Sequence, residues 1–281
     1  MESDRSKIKT IIHSCSSESY SGLEQYVYET MRWQIQNKSK NFNFRFFGKP
    51  DSKLGKKIST LGISCESSLK YSDLHNVVLH LHHPGELKIH FPYLHLQKIF
   101  RRTSKQNIFT HLQYHLWLTA NKRDPYHRLI FMPIDRVLCS SHNAKSLHTN
   151  TLPVDEKNIH VVQYARRPVA LTIDKDQHKA TLRKSLHIPQ EACVALTVSR
   201  FEKIKGIEEL LGAAAEAIKS NSNLHLIIVG GPSEQNQEST TYAQNLQEIY
   251  QRLDPYIQNK IHFVGFIEDL KPYFLASDFY V

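Results

Sequence analysis

Residues 199–206 read Ser-Arg-Phe-Glu-Lys-Ile-Lys-Gly, between an apolar, β-branched run (192–199, ACVALTVS) and a helical repeat of apolar residues. Two cations held by a strand end and a helix start suit a diphosphate. Arg200 offers a planar fork of donors, and Lys205 a compact point charge. A solvated basic turn of the same composition is the alternative, because charge clusters after strands are common. The second concentration of chemistry is histidine: the chain has 17, six of them at His75, His80, His82, His83, His90 and His95. His80 and His82 would share one face of a strand, so a metal site has to be weighed. No HExxH and no Cys/His pairing at zinc spacing accompanies them, and the expectation is that no metal is bound. His82-His83-Pro84-Gly85 reads instead as a strand end and turn.

The elements that position these residues are clearest in the C-terminal half. Strand 192–199 is followed by a helix over 206–219, in which Ile207, Leu210, Leu211, Ala214 and Ile218 recur at helical spacing. Next come strand 224–231, a loop opened by Pro232, a helix over 240–253, strand 260–266, a short helix over 268–276 and the start of a further strand, DFYV. Buried strands alternating with amphipathic helices predict an α/β fold, a parallel sheet covered on both faces. The N-terminal half repeats the plan, with strands predicted at 8–14, 42–47, 76–82, 107–111, 136–141 and 159–164 and helices at 22–36, 93–101 and 142–149. The predicted organisation is a doubly wound domain over 1–167, a connection with a first helix over 168–190, and a second doubly wound domain over 191–281.

Taken in order, four segments resemble the donor domain of retaining glycosyltransferases of family 4 (glycosyl transferases group 1), which have the GT-B fold. They are Arg200-x4-Lys205-Gly206-Ile207, Leu226-Ile227-Ile228-Val229-Gly230-Gly231-Pro232, Ile261-His262-Phe263-Val264-Gly265-Phe266, and Leu270-x2-Tyr273-x2-Ala276-x-Asp278. The resemblance implies two Rossmann-like domains facing across a cleft, donor on the C-terminal one and acceptor on the N-terminal one. It implies that Arg200 and Lys205 bind the diphosphate of a nucleotide sugar and stabilise the departing charge. Gly230 and Gly231 would let backbone approach the nucleotide, and Phe266 and Ile267 would lie by the base, contacting it through backbone groups. In the N-terminal half, Ser21-Gly22-Leu23-Glu24 is similar to the family's small-residue turn after the first strand, with Ser-Gly in place of the usual Gly pair, and Gly22 is the residue carried over as substrate-binding. Ile108-Phe109-Thr110-His111 resembles the strand end at which many members place a histidine near sugar and acceptor, which makes His111 a third catalytic candidate. The resemblance implies no cofactor beyond the UDP- or GDP-linked co-substrate, and no metal for catalysis.

Composition bounds the rest. The chain of 281 residues is 40% hydrophobic and 22% charged, which excludes a disordered or fibrous protein. No membrane span or secretory signal is expected, and Cys15, Cys65, Cys139 and Cys193 lie too far apart for a disulfide scaffold; they read as buried thiols of a cytoplasmic protein. The net charge of +9 sits unevenly: residues 1–167 hold 25 Lys and Arg against 13 Asp and Glu. Two basic-aromatic segments, Lys98–Lys105 and Trp117–Arg128, lie in that half, and a peripheral contact with an anionic membrane carrying a lipid-linked acceptor is one expectation, a solvated helix face the other. A nucleic-acid partner is not expected, since no helix-turn-helix, zinc or RNA-recognition signature accompanies the charge. The family's Glu-x7-Glu segment would follow Val281, so the resemblance leaves roughly 80 to 100 residues unaccounted for. Both a fragment of a working enzyme and a catalytically impaired nucleotide-sugar-binding protein fit that pattern.

Overall fold

The computed structural model describes residues 9–18, 20, 22–38, 41–70, 76–100, 108–114, 120–164, 175–233 and 236–281. The chain divides into two compact units, Met1–Arg167 and Pro168–Val281.

In the first unit seven parallel strands are β1 (Thr10–Cys15), β2 (Asn43–Gly48), β3 (Cys65–Glu66), β4 (Val77–Leu81), β5 (Ile108–Gln113), β6 (Arg136–Cys139) and β7 (Ile159–Val161), in the order β3-β2-β1-β4-β5-β6-β7. The order reverses between β1 and β4, the switch point at whose carboxyl edge doubly wound sheets bind ligands. Among the described residues the helices that join them are α1 (Gly22–Lys38), α2 (Lys53–Ser59), α3 (Glu86–Phe100), α4 (Pro125–Phe131) and α5 (His142–Thr151). Side-chain alternation divides each strand between two cores. Ile12, Leu79, Leu81 and Leu112 pack with Leu87 and Leu94 of α3, while Cys15 and Phe46 pack with Val27 and Met31 of α1 and Leu54 and Ile58 of α2.

The second unit has a four-stranded parallel sheet ordered β10-β9-β8-β11, from β8 (Cys193–Val198), β9 (Leu224–Val229), β10 (Ile261–Gly265) and β11 (Phe279–Tyr280). Ala195, Leu226, Ile228 and Ile261 meet α7 (Ile207–Ser220), α8 (Gln237–Gln251) and α9 (Pro255–Gln258) on one face. Val194, Leu196, Ile227 and Val229 meet α6 (Lys175–Ser185) and α10 (Lys271–Ala276) on the other. Leu182, Leu186 and Ile188 belong to that second core, so the described part of the connecting segment is built into the second unit.

Several expectations are corrected. Helix α3 begins at Glu86, seven residues before the sequence reading, and carries Pro92 inside it. Leu87 and Leu94, 2% and 3% exposed, bury against the sheet on both sides of the proline, and that packing outweighs the one backbone bond a proline removes. Helix α8 begins at Gln237 because Asn236 caps it, its side chain accepting from Glu238 N and Ser239 N. Of the four thiols only Cys15 and Cys139 are buried; Cys65 and Cys193 are half-buried. Residues 101–105 and 117–119 of the basic-aromatic segments lie outside the described residues. In the described remainder, Arg128 Nε donates to Arg123 O at 2.8 Å and Arg123 donates to Thr149 O, so both arginines have partners within the chain. Among the described residues no helix is long and apolar enough to cross a membrane.

Buried histidines set an acid limit on stability. Burial lowers His90 to about 4 against the opposing pull of Glu86. Burial, reinforced by Lys260, His262 and Arg183, lowers His225 to about 4. Both imidazoles are neutral when folded, whereas in the unfolded chain they bind a proton below the ordinary value of 6.5. Their contribution is fully present above 6.5 and is lost as pH falls towards 4, by about 1.4 kcal/mol per pH unit for each histidine. Urea midpoints near neutrality and near pH 5 should therefore fall together with acidification in the wild type. His225→Phe should flatten the dependence for the second unit alone.

Candidate functional site

In the second unit β8, β9 and β10 end side by side and the chain leaving them is stitched together. Ser199 N donates to Val229 O at 2.9 Å, Phe201 N to Gly231 O at 2.9 Å, and Gly230 N to Gly265 O at 2.8 Å. Gly230 takes φ +134°, and a Cβ built there would lie 1.8 Å from Ser199 O, so only glycine lets the end of β9 pass the loop after β8. At Gly231 an added Cβ would meet nothing within 4 Å: its backbone faces open space.

Phe201 anchors the loop. It is 8% exposed, sits edge-on to Phe263 with ring centroids 6.1 Å apart, and its carbonyl accepts from Ser239 Oγ at 2.7 Å. Arg200 before it has a side chain 58% exposed, and Lys205 after it is also exposed. A 3-10 turn over Lys203–Lys205 separates the two and closes on Gly206 at φ +66°, where α7 begins. Arg200 Nη1 lies 2.9 Å from Glu202 Oε1. That exposed ion pair is worth at most about 1 kcal/mol, so an incoming anion can take the guanidinium from the carboxylate.

The predicted donor residues Arg200, Lys205, Gly230 and Gly231 thus meet at one sheet edge, and the chain after Gly265 joins them. Phe266 is 78% exposed, but Ile267 packs into the core with Leu270 and Tyr273, which leaves only its backbone for a ligand. Gly22 and His111 lie in the first unit. Gly22 is the first residue of α1 and an added Cβ there would meet nothing within 4 Å; Ser21 is outside the described residues. His111 is not at a strand end. β5 runs on to Gln113 because β6 continues beside it, and His111, half-buried, pairs with His80 on one side and Arg136 on the other.

Residues 178–281 match the family described as "Glycosyl transferases group 1". Over this segment the chain is similar to that family. The match covers every strand and loop of the second-unit site. Among curated proteins the chain is 29% identical over 123 residues to the alpha-1,3/1,6-mannosyltransferase ALG2 of Yarrowia lipolytica, a stretch that is 44% of this chain and 26% of that protein. Among solved structures it is similar to Anabaena HepE, crystallised in complex with UDP and glucose, with TM-score 0.67, 15% identity and coverage of 97% of this chain and 73% of that one. It is similar to a glycosyltransferase from Rickettsia africae, with TM-score 0.67, 14% identity and coverage of 98% and 72%. At these identities the likeness is one of fold, and the fold is that of GT-B glycosyltransferases.

Sequence reasoning missed Ser239. Its hydroxyl, 1% exposed, donates to Phe201 O and accepts from Ser233 N at 2.9 Å, so a residue of α8 holds the loop after β8 to the loop after β9. A serine on the buried side of an amphipathic helix was the available signal. Ser239→Ala strands both partners and should cost about 1–3 kcal/mol in urea unfolding of the second unit. Ser239→Cys, which keeps a weak donor, should lose less.

Proposed function

We propose that the protein is a retaining glycosyltransferase that moves a sugar from a nucleoside-diphosphate donor to an acceptor hydroxyl. One observation carries this: Arg200 and Lys205 stand exposed on a loop pinned by Phe201, beside the open backbone of Gly231 at the joined ends of β8, β9 and β10. Negative charge grows on the diphosphate as the glycosidic bond breaks. Cations already in position stabilise that charge without reorganising during the reaction. In this reading Arg200 grips phosphate oxygens through its fork and Lys205 adds a point charge, while backbone at Gly230, Gly231, Phe266 and Ile267 meets the nucleotide.

Gly22 and His111 of the first unit serve the substrate side, His111 near the transferred sugar and acceptor. The acceptor would attack from the face the diphosphate leaves, so the flanking pair of carboxylates that glycosidases use is not required. The donor is UDP- or GDP-linked. The mannosyltransferase activity in the name of the curated relative makes a mannosyl donor the first to try, and the UDP and glucose of the HepE complex support a UDP arm. A carbohydrate or lipid-linked acceptor at an anionic membrane face fits the 25 basic against 13 acidic residues of 1–167.

Calorimetric titration of the protein with a panel of UDP- and GDP-sugars tests the reading. Saturable binding to one nucleotide class is expected, weakened roughly 100-fold or more in Arg200→Ala/Lys205→Ala, since each lost charge-assisted contact is worth about 1.5–3 kcal/mol. Equal affinity in a folded double variant would remove the diphosphate site from the account. Binding with no transfer to any acceptor would leave a nucleotide-sugar-binding protein.

A further inference from the structure

The α1 side of the first sheet carries histidines where a doubly wound sheet ordinarily carries valine and isoleucine. Alternation sends Ile12, Leu79 and Leu81 into the core shared with α3, which leaves His13, His80 and His82 on the other face. Register sets His13 beside His80, and the amide of His82 donates to Ser14 O at 3.0 Å. The three are 0%, 8% and 0% exposed. Their ring centroids are 4.2 Å apart for His80 and His82, 5.1 Å for His13 and His82, and 5.2 Å for His13 and His80. One ring nitrogen of each lies within 4.8 Å of those of the other two.

The hydrogen bonds around His13 give this cluster a direction. His13 Nε2 donates to Gln34 Oε1 of α1 at 2.8 Å, which makes Nδ1 the basic nitrogen, and Nδ1 lies 2.8 Å from His82 Nε2. A ligating histidine almost always donates its second ring N–H to an oxygen, and Gln34 supplies one.

We propose that His13, His80 and His82 form a zinc(II) site, with His13 ligating through Nδ1, His82 through Nε2, and Gln34 orienting His13. Tetrahedral zinc at about 2.05 Å from each nitrogen separates the nitrogens by about 3.3 Å, so the His13–His82 contact opens by about half an ångström and the His82 proton moves to Nδ1. Three neutral ligands leave the ion's charge uncompensated, so the fourth position favours an anionic group or a water that gives up a proton. The cluster sits where strand order reverses between β1 and β4, the place at which a doubly wound sheet takes a ligand. The sequence showed only the His80–His82 pair. His13 reaches it through the pairing of β1 with β4, and the proposal runs against the expectation of no metal.

The test uses the whole chain, stripped with a chelator and titrated with cobalt(II) followed by visible absorption, with zinc(II) as competitor. The proposal expects one equivalent of cobalt with the intense absorption of a four- or five-coordinate ion, displaced by one equivalent of zinc. In Gln34→Leu, a half-buried position on α1, affinity should fall 10- to 100-fold with the circular dichroism unchanged. In His82→Asn the cobalt spectrum should vanish. A folded wild type without that spectrum overturns the proposal, and so does binding undiminished in both variants, which would place the metal on other histidines. If His82→Asn does not fold, wild-type stoichiometry and Gln34→Leu decide. Donor binding through Arg200 and Lys205 is unaffected by either outcome.

Discussion

Gly230→Ala should unfold or nearly unfold the second unit, with a loss on the order of 4 kcal/mol, the range reserved for changes the backbone cannot accommodate. The new Cβ would stand 1.8 Å from Ser199 O and 2.8 Å from Ser199 C, both backbone atoms, so no side-chain rotation relieves it. The position also holds φ at +134°, which residues with a side chain rarely adopt. Relief requires β9 and the loop after β8 to part, which breaks the bonds from Ser199 N to Val229 O and from Phe201 N to Gly231 O. Gly231→Ala is the control: its Cβ meets nothing within 4 Å, so stability should stay within about 1 kcal/mol of wild type while nucleotide affinity falls. Urea denaturation and the calorimetric titration, run on both variants, read the two effects separately. Equal stability losses would refute the close approach at Gly230.

Arg183→Met should cost about 3–5 kcal/mol, the usual result of removing one member of a buried charged network. Arg183 is 1% exposed, and its guanidinium donates to Ala276 O at 3.0 Å, Gln190 O at 2.6 Å, Ala192 O at 2.7 Å and Asp278 Oδ2 at 2.8 Å. These bonds tie α6 to the chain entering β8 and to the chain between α10 and β11. Methionine fills much of the volume but leaves three carbonyls without the guanidinium and Asp278 with only the Val194 amide and Lys179. Burial pushes the Asp278 carboxyl up, but the Val194 amide, Lys179 and Arg183 outweigh it and hold it below its usual 3.8. The unfolded carboxyl therefore binds its proton at higher pH than the folded one. Asp278 contributes stability that is present above 3.8 and is lost as pH falls through the folded value. Arg183→Met should accordingly lower the urea midpoint at neutral pH and weaken its acid dependence below pH 4. A variant with the wild-type midpoint would show that the carbonyls find other donors.

Much of the donor side was legible because its parts are local. A β-branched run, a basic turn and an amphipathic helix in succession specify a strand, a loop and a helix wherever the unit packs, so β8, Arg200 to Lys205 and α7 follow from residues 192–219 alone. The Gly230-Gly231 pair marks a strand end in the same way. In the first unit the alternating VVLHLH of residues 76–82 announced a strand with one polar face, and Leu79 and Leu81 duly point into a core.

Only tertiary structure decided what those signals meant. Gly230 is indispensable because of Ser199, which approaches it through the pairing of β8 with β9, and no local pattern encodes a distance between two strands. Ser239 and Arg183 read as ordinary polar residues, of a loop and of a helix, until folding brings Phe201 O to one and four acceptors to the other. His111 looked terminal because the resemblance placed a strand end there, but β6 supplies the hydrogen bonds that carry β5 on to Gln113. The histidine pair at the end of β4 gains its third member through the register of β1 against β4, a non-local choice made by burying Ile12, Leu79 and Leu81 together. Periodicity and composition report what each segment can bury. Which residues then meet depends on contacts between segments far apart in the chain, whose geometry is set by the packing of the whole unit.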